Sequence, residues 1–182
     1  MSKAAETFAH AILDSERLLE NFNKLNTLPP PPDIEVLKRA GLVMAMTAWE
    51  TYVEDRVQEA ADIRLSGLTD AAIGTFVRSK LTDEIKRLHN PTSEKTAQLF
   101  RDYANVDVTA GWIWPNFDPV RARETLNSLM KLRGDVVHRS RPPAEPGPPQ
   151  PHPVTKEDLR KAIRFLRDLV DATEKALVAS KV

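Results

Sequence analysis

Two blocks of proline divide this chain and limit the folds open to it. Pro29 to Pro32 form the first block, and seven prolines between Pro142 and Pro153 form the second. Because proline lacks a backbone donor and disfavours helix in the residue before it, we expect both blocks to be connectors, with a proline-rich loop at 142–153. Between the blocks, apolar residues recur at steps of three and four, and no convincing strand alternation occurs. The pattern predicts one domain over residues 1–182, an all-α antiparallel bundle of four long helices plus short extra helices.

The same spacing gives the bounds of the predicted helices. The long ones are expected at 3–27, 33–65, 118–140 and 155–179, and shorter ones at 69–89 and 92–104. The expected N-terminal caps are Asp33, Thr69, Thr92 or Ser93, Asp118 with Pro119 at the first helical position, and Thr155 with Asp158 as a capping box. Residues 105–117 are predicted to form an irregular loop. Its Trp112 and Trp114 are expected to pack on the bundle, with stacking on nucleic-acid bases as the alternative.

Composition excludes several classes of function. Lys and Arg together number 26, as do Asp and Glu, so the net charge gives no bulk attraction to nucleic acid and any RNA site must be a local basic patch. The absence of cysteine excludes thiolate catalysis and cysteine zinc sites. The four histidines, His10, His89, His138 and His152, lack close ligand spacing, and no P-loop, dinucleotide-binding glycine pattern or GxSxG motif occurs. We therefore expect no metal and no other cofactor.

Nothing in the sequence predicts a membrane location. The first twenty residues carry acidic side chains within their apolar stretch, which is not typical of a signal peptide. No stretch reaches the roughly 18 consecutive apolar residues that a membrane-spanning helix needs. These observations, with the lack of cysteine, lead us to expect a cytoplasmic protein.

One arginine interrupts an apolar helix face. In the helix predicted at 118–140 the apolar stripe runs through Leu126, Leu129, Met130 and Val137, and Arg133 falls on this stripe between the last two. Since a buried lone charge is costly, Arg133 must be paired, extend to solvent, or lie at an interface or cleft. One interpretation is therefore an internal ion pair with Glu50 or Glu54, and the other is a functional site.

His138 follows Arg133 by five residues. Along a helix this separation is about 7.5 Å in rise and about 140° in rotation, so the two side chains do not share one narrow face. A second copy of the helix across a two-fold axis would supply a facing pair. Alternatively, a histidine near a helix C-terminus is stabilised by the helix dipole without any further role.

Two segments resemble a known family. Residues 126–140, LNSLMKLRGDVVHRS, resemble the signature of the HEPN superfamily, an arginine and a histidine four to six residues apart near one end of a helix. Residues 48–61, AWETYVEDRVQEAA, resemble the second helix of the RiboL-PSP-HEPN branch. The sequence departs from many active members at Gly134, where a polar residue is common. Gly134 either lets a partner helix approach closely or marks a degenerate site.

The resemblance implies a homodimer that cleaves RNA without a metal. Arg133 and His138 would be its catalytic residues, with Asp135 and Glu50 in support. Lys131, Arg139 and Arg141 would contact RNA phosphates. The resemblance also implies a toxin or defence role, with an antitoxin protein as a possible partner. The alternative is a non-catalytic HEPN module that mediates protein association or nucleotide binding.

Overall fold

Six α-helices are present in the computed structural model, which describes residues 1–27, 31–138 and 154–182, apart from the side chains of Pro32 and His138. They are α1 (Lys3–Leu25), α2 (Glu35–Leu65), α3 (Ala71–Ile85), α4 (Ser93–Ala104), α5 (Pro119–His138) and α6 (Lys156–Ala179). Short 3₁₀ helices lie at Pro32–Ile34 and Val108–Gly111. Within these described ranges there is no strand beyond an isolated bridge between Trp114 and Phe117. The all-α prediction, with four long helices and short extra ones, is confirmed.

Two long helices, α1 and α6, pack against α2, which supplies much of the core. Ser15 of α1 donates a hydrogen bond to the carbonyl of Gly41 (2.8 Å), whereas Ala4, near the start of α1, meets Glu59 near the end of α2. These two helices are therefore antiparallel. Gly41 lies against Leu159, and Arg56 reaches Glu174, so α2 and α6 run in the same direction. Removing the apolar side chains of α2 from water supplies much of the driving force for this packing.

Local capping explains most helix boundaries. The capping box of Thr155 and Asp158 starts α6 as predicted, and the Asp118 side chain accepts a hydrogen bond from the Arg121 backbone (2.8 Å) at the start of α5. Thr92 caps α4.

Four predicted boundaries are wrong. The first helix ends at Leu25, two residues before the predicted position, because the Asn26 backbone is extended. Asp33 lies within the 3₁₀ helix and makes no cap for α2, because the turn that follows the proline block places Ile34 at the N-cap. Asp70, rather than Thr69, caps α3, since its carboxylate accepts from the backbones of the next residues (2.8 Å to Ala72). Finally, α3 ends at Ile85, four residues before the predicted position, because the chain turns there.

The tryptophans of the loop before α5 pack on the bundle, as expected. Trp112 is fully buried, and its Nε1 donates a hydrogen bond to the Thr173 hydroxyl on α6 (2.9 Å). Trp114 stacks on Phe117 with ring centroids 4.7 Å apart, and both rings contact Phe165. The loop therefore fixes the start of α5 against α6.

Candidate functional site

The C-terminal half of α5 carries a charge on its partly covered face. Leu126 and Met130 are buried as predicted, and Arg133 follows one turn later with a half-buried side chain. The predicted stripe is wrong at its end, where Val136 belongs to the buried core and Val137 is exposed. Arg133 thus lies at the edge of the core.

Arg133 is paired with groups from two other elements. Its Nη2 lies 3.5 Å from Oε2 of Glu50 on α2, and its Nη1 donates a hydrogen bond to Oδ1 of Asn90. The Arg133 and Glu50 side chains keep 24% and 18% of their accessible surface. The structure therefore contains the ion pair with Glu50 that was one interpretation of the sequence, yet it leaves part of the Arg133 side chain open to solvent. Nε of Arg133 is buried and has no hydrogen-bond partner among the described residues.

Asn90 belongs to the connection between α3 and α4, which sequence reasoning did not assign to the site. Its backbone is left-handed, with φ of 56°, and its N–H donates to Oε1 of Glu50 (3.2 Å). The next carbonyl, of Pro91, accepts from Nε1 of the buried Trp49 (3.2 Å). The carbonyl of His89 accepts from Nζ of Lys95 (2.6 Å). This connection is therefore fastened to both α2 and α4 and forms one wall of the site.

A second carboxylate stands one helical turn beyond Glu50. Burial raises the pKa of Glu54 above its ordinary value, and the negative charges of Glu50 and Asp55 raise it further, while His89 acts in the opposite direction. Glu54 is consequently easier to protonate than an exposed glutamate. The α2 face opposite residues 89 and 90 is thus lined by two carboxylates, of which only Glu50 pairs with Arg133.

The other predicted site residues are distributed as follows. Lys131 is exposed on α5, and Asp135 is half-buried on the same helix. His138 is the last residue of α5. The His138 side chain, together with Arg139, Arg141 and the predicted proline-rich loop at 142–153, lies outside the described residues. The catalytic assignments to Arg133 and His138 remain predictions.

Neither a metal-binding cluster nor a membrane-spanning helix is present in the described part of the chain. In residues 1–27, 31–138 and 154–182, no three histidine, aspartate or glutamate side chains are grouped so that they could hold a metal ion. None of the helices in that part of the chain combines the length and hydropathy needed to cross a membrane.

A comparison with protein families decides the relationship suggested by α2 and α5. The sequence profile of the RiboL-PSP-HEPN family matches residues 10–179. The chain belongs to the RiboL-PSP-HEPN family. The match extends from α1 to α6, so it includes Glu50, Asn90 and Arg133 together with the whole of α5. Comparisons with curated proteins and with solved structures return no match. The predicted family is confirmed, and the chain is a HEPN module.

Proposed function

We propose that this HEPN module is an endoribonuclease that cleaves RNA without a metal, at a site formed between two copies of the chain. The observation that carries the proposal is the state of Arg133. Its guanidinium is oriented by Glu50 and Asn90, and its side chain remains partly exposed, on the same helix that ends at His138. A guanidinium held in place on a partly exposed side chain is suited to binding the oxygens of a phosphodiester.

The reaction follows from the chemistry of RNA. The ribose 2′-oxygen attacks the adjacent phosphorus, its bond to phosphorus forms, and the bond to the 5′-oxygen of the next nucleotide breaks. One imidazole of His138 takes the proton from the 2′-hydroxyl, and the imidazole of the second copy gives a proton to the departing 5′-oxygen. Arg133 stabilises the extra negative charge on the phosphorus oxygens. The products are a cyclic phosphate end and a 5′-hydroxyl end.

Two copies are needed because of the helix geometry. Arg133 and His138 are separated by about 140° around α5, so one helix presents them poorly to one phosphate. A facing α5 supplies the complementary residues. In the proposal Lys131, Arg139 and Arg141 contact flanking phosphates, whose attraction weakens as salt is added. Asp135 lies between Arg133 and His138 in the chain and has a supporting role.

Gly134 provides a test of the dimer. A Cβ built on Gly134 would meet no atom within 4 Å, so packing within the described chain does not require glycine there. In a single chain, Gly134→Ala should stabilise α5 by about 1 kcal/mol, because glycine is a poor helix former. If the second copy lies against this position, the same substitution weakens the dimer. Sedimentation velocity and thermal unfolding would measure both effects. If Gly134→Ala leaves the dimerisation affinity unchanged, the dimer interface does not include this position. A chain that is monomeric at all concentrations would contradict the proposed site.

The activity is tested with purified protein, mixed-sequence RNA and a chelator at neutral pH. Wild type should produce cyclic phosphate ends, and Arg133→Ala and His138→Ala should reduce the rate by about 10²-fold or more. His10→Ala and Arg17→Ala are matched controls, since both residues are exposed on α1, and they should cleave like wild type. Equal cleavage by all five proteins would indicate a contaminating nuclease and refute the assignment. Loss of wild-type activity on chelation would refute the metal-free chemistry.

The second candidate is a non-catalytic HEPN module for protein association or nucleotide binding. The contact between Arg133 and Glu50 favours it, because an internal ion pair gives the arginine a structural reason to be there. Under this alternative wild type does not cleave RNA, and Arg133→Ala chiefly lowers stability.

In its biological setting, the proposed nuclease acts in the cytoplasm as a toxin or defence effector restrained by an antitoxin protein. Expression in a bacterial host should then arrest growth, and His138→Ala should relieve the arrest. Growth at the wild-type rate during full expression would contradict the toxin role.

A further inference from the structure

We propose that Asn90 is a positioning residue for Arg133 in RNA cleavage. The inference rests on the proposed function and adds to it a residue from outside α5. The Asn90 side chain accepts a hydrogen bond from Nη1 of Arg133, while Glu50 faces Nη2 of the same guanidinium. A hydrogen-bond acceptor at one nitrogen and a carboxylate facing the other hold both the position and the plane of the group. A single carboxylate would fix its distance but would leave rotation more free.

The backbone at Asn90 is itself held in place. Its N–H donates to Glu50, so the carboxylate that faces Arg133 also orients the residue that binds Arg133. Trp49, adjacent to Glu50 on α2, donates to the Pro91 carbonyl, and the Trp49 ring is fully buried. The loop is therefore tied to a rigid core helix at two successive residues. These two hydrogen bonds hold the Asn90 amide oxygen in position to accept from the Arg133 guanidinium.

The residue type suits the backbone conformation. Asn90 has φ of 56°, a left-handed conformation that asparagine adopts more readily than other residues except glycine. Thr92 caps α4 two residues later and donates its N–H to the Asn90 carbonyl (2.8 Å). Turn formation alone would be met equally well by glycine. The contact between the amide oxygen and Arg133 is the feature that glycine cannot supply.

Substitution by glycine therefore separates the side-chain contact from the backbone conformation at position 90. Asn90→Gly keeps the left-handed backbone and the N–H bond to Glu50, and it removes only the side chain. A guanidinium displaced by as little as 1 Å can cost about a hundredfold in rate, so we expect kcat to fall between about tenfold and a hundredfold. Asn105→Gly is the matched control. Asn105 is also left-handed, with φ of 55°, but it lies at the C-terminal cap of α4. The Asn105→Gly enzyme should therefore be as active as wild type.

Asn90→Asp serves as the conservative variant. Aspartate keeps an oxygen acceptor for Arg133 and tolerates the left-handed backbone. It should recover most of the kcat that Asn90→Gly loses. Its added negative charge should raise KM for RNA, because it repels the phosphates. A residue that only shaped the loop would not show this separation of kcat from KM.

The decisive experiment is a double-mutant cycle under single-turnover conditions, at a temperature where circular dichroism shows every variant folded. In an Arg133→Lys background the guanidinium is absent, so adding Asn90→Gly should change the rate less than twofold. An equal loss in both backgrounds would show that Asn90 acts independently of Arg133 and would overturn the inference. So would an Asn90→Gly enzyme as active as wild type. In both cases the proposed nuclease stands if Arg133→Ala and His138→Ala remain inactive. A wild-type protein that cleaves no RNA refutes the proposed function, and the inference with it.

Discussion

Replacing Arg133 with alanine removes a guanidinium from between Glu50 and Asn90, and the geometry sets how much stability the fold loses. Breaking a fully buried ion pair costs about 3–5 kcal/mol, whereas an exposed pair contributes about 1 kcal/mol or less. This pair lies between the limits, with side chains 24% and 18% exposed and a separation of 3.5 Å. Glu50 also keeps its hydrogen bond from the Asn90 backbone after the substitution. We therefore expect a loss of about 2 kcal/mol in the free energy of unfolding.

Urea denaturation at pH 7 measures this loss directly, and thermal unfolding should show Tm lower by about 4–8 °C. Arg17→Ala is the control, because Arg17 pairs with Asp14 on the exposed face of α1 with 68% of its side chain accessible, and it should change stability by less than about 0.5 kcal/mol. A loss above about 4 kcal/mol would refute the estimate and make Arg133 chiefly a structural residue. A loss within the error of the control would show that the contacts with Glu50 and Asn90 contribute nothing.

Three further substitutions test other parts of the structure. Glu174→Gln removes the nearer carboxylate from the buried Arg56 guanidinium, which keeps Glu59 at 4.0 Å, so it should cost about 2 kcal/mol by urea denaturation; an unchanged midpoint would contradict the pairing. Burial raises the pKa of Glu54, so the folded state binds this proton more tightly than the unfolded state does. Stability therefore falls as the pH rises from the ordinary glutamate pKa through the raised pKa of the folded state. Glu54→Gln should therefore raise Tm at pH 7, and the gain should vanish below about pH 4; a lower Tm at pH 7 would contradict the sign. Hydrogen bonding from Thr155 lowers the pKa of Asp158, whose stabilisation is present above the ordinary aspartate pKa and is lost as pH falls through the lowered one. Asp158→Ala should cost about 1 kcal/mol at pH 7 and less in acid, and an equal cost at both pH values would refute the charge effect.

Helix positions were largely predictable, and the errors have local causes. A capping residue acts on backbone groups within three positions of itself, so the sequence contains both partners of the Thr155 and Asp158 box. Thr69 and Asp70 are adjacent, and either side chain could cap α3. The choice between them depends on the path by which the chain leaves α2, which no local pattern specifies. Asp33 fails for a similar reason, since the proline block before it continues into a 3₁₀ turn.

The site was predictable on α5 and only partly elsewhere. Periodicity identifies the face on which Arg133 lies, because that face is a property of one helix. Its partners come from distant segments, with Asn90 separated by 43 positions in the chain. Glu50 could be suggested because it is a carboxylate on a helix expected to be buried. Asn90 could be recognised only as the asparagine before Pro91, a pattern that marks a turn and does not show what the side chain contacts.

A comparison within α2 shows why burial, and not pairing alone, distinguishes a candidate functional arginine. Arg56 pairs with Glu174 at 2.8 Å, and its side chain is 4% exposed. Tyr52 shares the same carboxylate, and burial raises the tyrosine pKa well above its ordinary value. No phosphate could approach that arginine without opening the bundle, so its role is to join α2 to α6. Arg133 has the same chemistry of an arginine facing a glutamate, but it keeps a quarter of its surface open at the end of a helix. The sequence singles out Arg133 by its place on an apolar face and by its spacing to His138, but it does not show how far either arginine is covered. Packing supplies that difference, since Arg56 is closed within the core and the Arg133 side chain is partly open.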